Sequence, residues 1–376
     1  MLLIEADGKA LFRAFGIAVP DGLVVTGDVP ALPGPGPWMV KAQVPVGGRG
    51  KVGGVRQCAT PDEVAAAARA MLGTRLKGHA VDSVFVEQTV AGAERYLSLS
   101  VDPASYGVRV IYIAGGGVDV EQAAESGGAG KVCAPDRASV AATLSDMLTN
   151  DPDRLALIAL GEKLAALLLS RELMLAEINP LFVGPGGCIA GDAKVVIDLN
   201  AVEQGQPELR ALIEARPSVY TDAIRKLQEG FDYVELDPEG EIGLLTTGAG
   251  LSMMLIDELT ARGGKPLNFL DIRTGQLRGS PQRIIHALTW MAERPSLKVV
   301  LVNIFAGITD LAEFAVLLAD ALEQTPQMRA PIVARLVGRG AAAAAKILAE
   351  RRPGMLVTED LEESLAAVGT LIGRRA

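Results

Sequence analysis

The stretch VPVGGRGKVGGV, residues 44–55, sets Gly47, Gly48, Gly50, Gly53 and Gly54 around Arg49 and Lys51, and the apolar run just before it carries Lys41. Glycine leaves out the side chain, so successive N–H groups can converge on oxygens of one anion. A lysine on the adjoining strand could reach a neighbouring phosphate as a point charge. The span therefore predicts a loop over a polyphosphate; a surface hairpin with solvated charges is the competing reading. It is neither a P-loop nor a dinucleotide fingerprint. Glu87, Glu94, Glu177, Asn179 and Asp192 supply oxygens at the ends of strand-like runs. Magnesium takes hard oxygen ligands together with substrate phosphates and does not need a full protein cage. Asn179 and Asp192 lie on consecutive runs joined by PLFVGPGG, and a hairpin would set them side by side. Alternatively, Asn179–Pro180 is a plain turn signal and Asp192 a solvated edge residue.

TTGAG (246–250) and FAGIT (305–309) each follow an apolar run and precede a helix-like one. Unpaired N–H groups at such helix starts favour anions, although tight strand-to-helix turns need glycine anyway. The two histidines, His79 and His286, have no catalytic neighbour legible in the sequence and read as structural or surface residues. Met253–Met254 reads as core.

Elements must hold these groups in place. Residues 3–16 have helical spacing, and 38–44 form an apolar strand. Thr60, Pro61 and Glu63 make a helix start with a capping box. Leu97, Leu99 and Val101 alternate with Tyr96, Ser98 and Ser100, and the following VRVIYI run pairs with them antiparallel. AESGGAGKVCAPD (124–136) reads as loop, and a long helix opens at Asp151–Pro152. The stretch 201–238 is charged and weakly patterned, and the domain boundary is placed there. Beyond it, the short apolar runs EIGLLTTGAGL, LNFLDI, LKVVLVNIFAG, RAPIVARLV and GMLVTED alternate with helices near 251–262, 281–294, 310–324, 340–350 and 358–374. That rhythm predicts a parallel α/β sheet with ligands beyond its C-terminal strand ends.

A chain of 376 residues with 49% hydrophobic content can fill two or three cores. Its net charge of −9 and pI near 5.0 argue against nucleic acid and favour a small anion at the basic loop. Three scattered cysteines with no C-x-x-C pair point to a reducing, cytoplasmic setting, not to a disulfide framework or metal clip. No run has the length of a signal peptide or a membrane span.

Taken in order, KAQVPVGGRGKVGGV, VFVEQ…ERYL, AEINPL, GDAK, TTGAGLSM, GGKPLNFLDI and VLVNIFAGIT resemble the beta subunit of succinyl-CoA synthetase, the ADP-forming succinate–CoA ligase, a family with the related malate–CoA ligase beside it. The resemblance covers most of the chain. It implies an α/β architecture: an ATP-grasp domain over 1–215, a linker over 216–238, and a flavodoxin-like parallel-sheet CoA-ligase domain over 239–376. It implies ATP/ADP phosphates at Lys41, Gly48, Arg49 and Gly50, and a nucleotide further held by Glu87, Val90 and Glu94. Mg2+ would sit at Asn179 and Asp192. The acid and the phosphohistidine site would lie at Thr247, Gly307, Ile308 and Thr309. Pro20 falls at a position tied to nucleotide choice and resembles the ATP-using form.

The family's beta chain is catalytic only with an alpha subunit, which binds most of the CoA and carries the phosphorylated histidine. In the implied reaction ATP phosphorylates that histidine, the phosphoryl group passes to the acid as an acyl phosphate, and CoA attacks the carbonyl. Some motifs depart from the family. HEYQAK has become IEADGK, HAGGRGK has become PVGGRGK, NGAG has Thr247 for its asparagine, and Ile272-Arg273-Thr274-Gly275 replaces a glycine cluster. The altered second half suggests an acid other than succinate, malate first, with Arg273 gripping an extra carboxylate or sulfonate; a solvated Arg273 is the alternative. Competing functions are a non-catalytic nucleotide-binding regulatory subunit, a lone amide-forming ATP-grasp ligase and a self-contained acyl-CoA synthetase.

Overall fold

The computed structural model describes residues 1–115, 130–184, 186–307 and 309–373. These divide into two compact units, Met1–Val219 and Tyr220–Ala376. In the first, α1 (Glu5–Ala14) precedes β1 (Gly22–Val25), β2 (Trp38–Ala42) and β3 (Val55–Cys58). Helix α2 (Pro61–Met71) starts as its residues demand. The Thr60 side chain accepts from Glu63 N, and the Glu63 carboxylate accepts from Ala59 N at 2.7 Å, one residue before the cap itself. Two short strands, β4 (Arg75–Leu76) and β5 (His79–Ala80), make a small hairpin ahead of β6 (Val84–Gln88). Strands β1, β6, β2 and β3 form one antiparallel sheet in the order β1-β6-β2-β3. Val40, Val84 and Val86 on this sheet meet Val64, Ala67 and Ala68 of α2 in a shared apolar core.

A second sheet follows: β7 (Ala93–Asp102), β8 (Gly107–Ile113) and β9 (Gly130–Cys133), then α3 (Arg137–Met147) and α4 (Arg154–Ser170), then β10 (Leu173–Gly184), β11 (Gly187–Ala190) and β12 (Lys194–Ile197). Its order is β11-β10-β7-β8-β9, with β12 also on β10. Two expectations change here. The part of the 124–136 loop that is described, from Gly130, begins with edge strand β9, and α3 follows it. Neither has a legible period: β9 is partly or fully exposed along its length, and α3 buries only Val140 and Leu144. The weakly patterned stretch after 201 is also helical, with α5 (Leu199–Gly205) and α6 (Pro207–Glu214) closing the first unit.

The second unit opens with α7 (Thr221–Glu229) and β13 (Asp232–Glu235), so most of the segment expected as linker, 216–238, is folded into it. Then come β14 (Ile242–Thr246), α8 (Ala249–Ala261), β15 (Asn268–Asp271), α9 (Gln282–Ala292), β16 (Val299–Ala306), α10 (Leu311–Gln324), β17 (Ile332–Gly338), α11 (Ala341–Arg351), β18 (Leu356–Thr358) and α12 (Leu361–Leu371). Strands β14, β16, β17 and β18 are parallel, in that order. β15 pairs antiparallel with β13, where the alternation alone predicts a fifth parallel strand. It still flanks β14. The buried Asn268 amide accepts from Leu244 N and donates to Leu244 O, both at 2.9 Å, standing in for main-chain rungs. With β15 in that place the order is the flavodoxin-like 2-1-3-4-5. Among the described residues no helix is long and apolar enough to cross a membrane.

Candidate functional site

The first unit contains a cleft of about 420 Å³, within the range of small-molecule sites. Its lining includes Lys41, Gly48, Arg49, Gly50, Glu87, Val90, Glu94, Asn179 and Asp192, together with Pro20. Lys41 comes from β2, Glu87 from the neighbouring β6, Glu94 from β7 and Asn179 from β10. The glycine loop follows β2 and turns through Gly48 at φ 65°, a conformation that favours glycine. Strands β10 and β11 are the expected hairpin. Leu181 pairs with Ala190 and, on β12, Lys194 pairs with Glu177; the same register between them sets Asn179 opposite Asp192. The side-by-side arrangement thus holds, and neither residue is a simple turn or free edge.

Beneath the cleft lies a buried charge network that the sequence did not announce. Glu5 and Lys9 stand one turn apart on α1 with side chains 0% exposed. Lys9 Nζ lies 2.7 Å from Glu5 Oε1, 2.5 Å from Glu87 Oε2 and 2.9 Å from the Gly191 carbonyl. Lys41 Nζ meets the same three partners, at 2.7 Å from Glu5 Oε1, 2.6 Å from Glu87 Oε1 and 2.9 Å from Gly191 O. Only a backbone without a side chain fits at 191, where a Cβ would come within 2.4 Å of the Phe182 ring and 2.9 Å of Pro180 O. Arg49 donates to Glu5 Oε2 at 2.7 Å, to both oxygens of Asp192 at 3.1 and 3.0 Å, and to Ala42 O at 3.1 Å. Three cations thus face three carboxylates, and the formal charge cancels.

That balance decides ionisation. Burial alone would raise the Glu5 carboxyl, but Lys41, Lys9 and Arg49 outweigh it and hold the group well below its ordinary range. Burial likewise opposes charge on Lys41 and Arg49. Glu5, Glu87 and Asp192 overcome it for Lys41, and Asp192 and Glu5 for Arg49, so both cations are held above their ordinary values. Beside this network the Glu177 carboxylate accepts from Tyr96 Oη at 3.2 Å and from Lys194 at 3.3 Å. Glu5 and Lys9 did carry a signal: an acid and a base at i and i+4 on the apolar side of a helix. They are also the two letters that IEADGK shares with HEYQAK.

Among the described residues no group of three or more His, Cys, Asp or Glu side chains could cage a metal. Asn179 and Asp192 offer one amide and one carboxylate in the cleft that holds Lys41 and Arg49. That is a donor set for an ion completed by phosphate and water oxygens, as suits magnesium.

The second unit has its own cluster at the C-terminal ends of β14, β15 and β16. Asp271 accepts from Gly248 N at 3.0 Å and Arg273 N at 3.1 Å. Arg273, in the left-handed region at φ 53°, donates to Asp232 at 2.8 Å, and Lys226 also lies 2.8 Å from Asp232. The Arg273 side chain is 35% exposed and already paired with a carboxylate of the chain itself. Thr309 bonds Thr274 at 3.0 Å, and Gly307 is exposed next to it; Ile308 lies outside the described residues. Thr247 is half-buried before Gly248, which caps α8 at φ 84° without a side-chain bond. The second glycine turn differs from expectation: Asp310 accepts from Ala312 N at 2.9 Å, so a carboxylate of the chain itself caps α10. Neither histidine lines the cleft. His79 is exposed, and His286 lies between Glu229 at 2.7 Å and Gln282 at 2.9 Å.

Comparison with known proteins sorts these features. Residues 2–183 match the family model of an ATP-grasp domain, and residues 245–371 match that of a CoA-ligase. A succinate–CoA ligase [ADP-forming] subunit beta of Chloroflexus aurantiacus is 36% identical over 384 residues, covering 98% of this chain and 99% of that one. The protein of the same name from Halorhodospira halophila is 34% identical, with 100% of both chains covered. Among solved structures, an ATP citrate lyase from Methanothrix soehngenii superposes with a TM-score of 0.67 over 95% of each chain, at 16% identity, which is a likeness of fold.

Proposed function

The chain belongs to the succinate–CoA ligase (ADP-forming) beta-subunit family, and from that membership we propose that it is the nucleotide-handling subunit of an ADP-forming acid–CoA ligase. It works with an alpha subunit whose histidine carries the phosphoryl group, and CoA binds mainly on that partner. The observation that carries this reading is the single cleft joining Lys41, the Gly48–Gly50 loop, Asn179 and Asp192. Within it, the loop N–H groups and the outer faces of Lys41 and Arg49 receive the ATP or ADP phosphates, while Glu87, Val90 and Glu94 line the nucleotide's path. Asn179 and Asp192 would hold Mg2+, which on binding supplies charge neutralisation on the phosphates. Glu5 and Lys9 fix the network from below. Because charged groups in a water-poor site need no reorganisation when charge develops, this preset balance is itself part of catalysis.

The acid is a dicarboxylate or similar short acid, met at Thr247, Arg273, Gly307, Ile308 and Thr309. A substrate shifted from succinate, such as malate, is favoured by Thr247 and by Arg273, whose guanidinium would grip an extra carboxylate by sharing or leaving Asp232. A cytoplasmic location fits the three free cysteines. The test is acid-dependent ADP release with CoA, ATP and Mg2+, using the chain with its alpha subunit and comparing succinate, malate and other short acids. Turnover is expected only with both subunits. Continuous ADP release without acid and CoA, beyond the one ADP per phosphorylated histidine, would overturn the function, and a wide preference for succinate would overturn the shifted substrate alone.

A further inference from the structure

Resting on the nucleotide reading above, the cleft assigns Arg49 and Asp192 to opposite ligands, phosphate and metal. In the structure they hold each other. One Arg49 nitrogen lies 3.1 and 3.0 Å from the two Asp192 oxygens, and Ala193 N donates to the first of these at 2.7 Å. Of the three carboxylates in the network, Glu5 and Glu87 are 0% and 2% exposed, whereas Asp192 is 31% exposed. Solvent, and therefore a hydrated ion, reaches only Asp192. Arg49 covers that carboxylate from beneath, with its second partner, Glu5, buried behind it.

A divalent cation arriving alone must displace a guanidinium from both oxygens and then sit against its positive charge. A phosphate arriving first gives Arg49 another anion and uncovers Asp192. We propose that Arg49 and Asp192 form a latch: the ion pair closes the metal site until phosphate oxygens draw Arg49 away, so metal and nucleotide bind as one coupled event. Linkage makes the coupling reciprocal, and the metal must tighten nucleotide binding by the same factor.

The test is Mn2+ binding, followed by electron paramagnetic resonance of the free ion, to the chain assembled with its alpha subunit and without nucleotide. Arg49→Gln should bind Mn2+ at least tenfold more tightly than wild type. Arg49→Lys, which keeps the charge but loses the planar guanidinium that spans Asp192, Glu5 and Ala42 O, should fall between them and serves if Arg49→Gln does not fold. Lys51→Gln removes an exposed cation of the same loop that makes no bond to Asp192, and should change Mn2+ affinity less than twofold. Equal affinity in wild type and both Arg49 variants overturns the latch, as does an increase in Lys51→Gln matching that in Arg49→Gln. ADP added to wild type should bring in Mn2+. If it brings none, the nucleotide reading itself fails, whatever the variants do.

Discussion

Replacing Lys9 with methionine tests whether the buried network is held by charge. The side chain is wholly buried and makes two ionic contacts and one bond to the Gly191 carbonyl. Removing one member of a buried ion pair costs roughly 3–5 kcal/mol, because its partner is left uncompensated. Here the loss is cushioned. Glu5 keeps Lys41 and Arg49, Glu87 keeps Lys41, and the Gly191 carbonyl keeps the Lys41 donor at 2.9 Å. The expected cost therefore lies at the low end, about 3 kcal/mol. For a unit of this size that is a fall in Tm of roughly 6–12 °C.

The pH dependence gives a second signature. In wild type the folded-state Glu5 carboxyl is held well below its ordinary value of 4.5, with burial opposing and Lys41, Lys9 and Arg49 prevailing. A depressed acid contributes stability that is complete above its unfolded value and is lost as pH falls through the folded one. Lys9→Met weakens that depression, so the deficit should be full at neutral pH and narrow below about pH 4.5. Calorimetry or urea unfolding of wild type and variant across pH 3–7 measures both. A variant within about 1 kcal/mol of wild type at pH 7 would mean that methionine packing replaces the ion pairs, and the charge-balance account would be wrong.

Two further outcomes follow from the same geometry. Lys41→Met should weaken Mg–ADP binding by about 10–100-fold, the worth of a charged hydrogen bond, measured by titration calorimetry on the assembled enzyme; unchanged affinity would remove Lys41 from the phosphate site. Burial, with Asp153 and Asp151 nearby, pushes the Cys188 thiol up to about 11 from 9.0. Iodoacetamide at pH 8 should therefore label Cys188 about a hundredfold more slowly than an ordinary thiol, with the rate still climbing at pH 10, as read by peptide mass spectrometry. A plateau near pH 9 would contradict the shift.

Much of this protein was legible in the sequence because the responsible forces are local. Capping residues start α2, the alternating run at 97–101 makes a strand, and strand–helix rhythm after 240 makes a parallel sheet. The glycine loop and the two consecutive strand runs carrying Asn179 and Asp192 are local too, since a hairpin register depends on neighbours in the chain. Where the local pattern was faint, order came from elsewhere: β9 from its antiparallel ladder with β8, and α3, α5, α6 and the segment 216–238 from a few residues buried against the rest of their unit.

Tertiary structure alone decided who neutralises whom. The acid that bonds Lys41 and Arg49 at 2.7 Å is Glu5, from a helix at the start of the chain, and the oxygens gripping Arg49 belong to Asp192, near the end of the first unit. It also decided that Arg273 meets Asp232 and that β15 turns to pair with β13. Periodicity reports which face of an element is apolar and motifs report which groups can do chemistry. Neither reports which distant charge lies opposite, because Coulomb pairing in a buried site depends on distances that only folding sets.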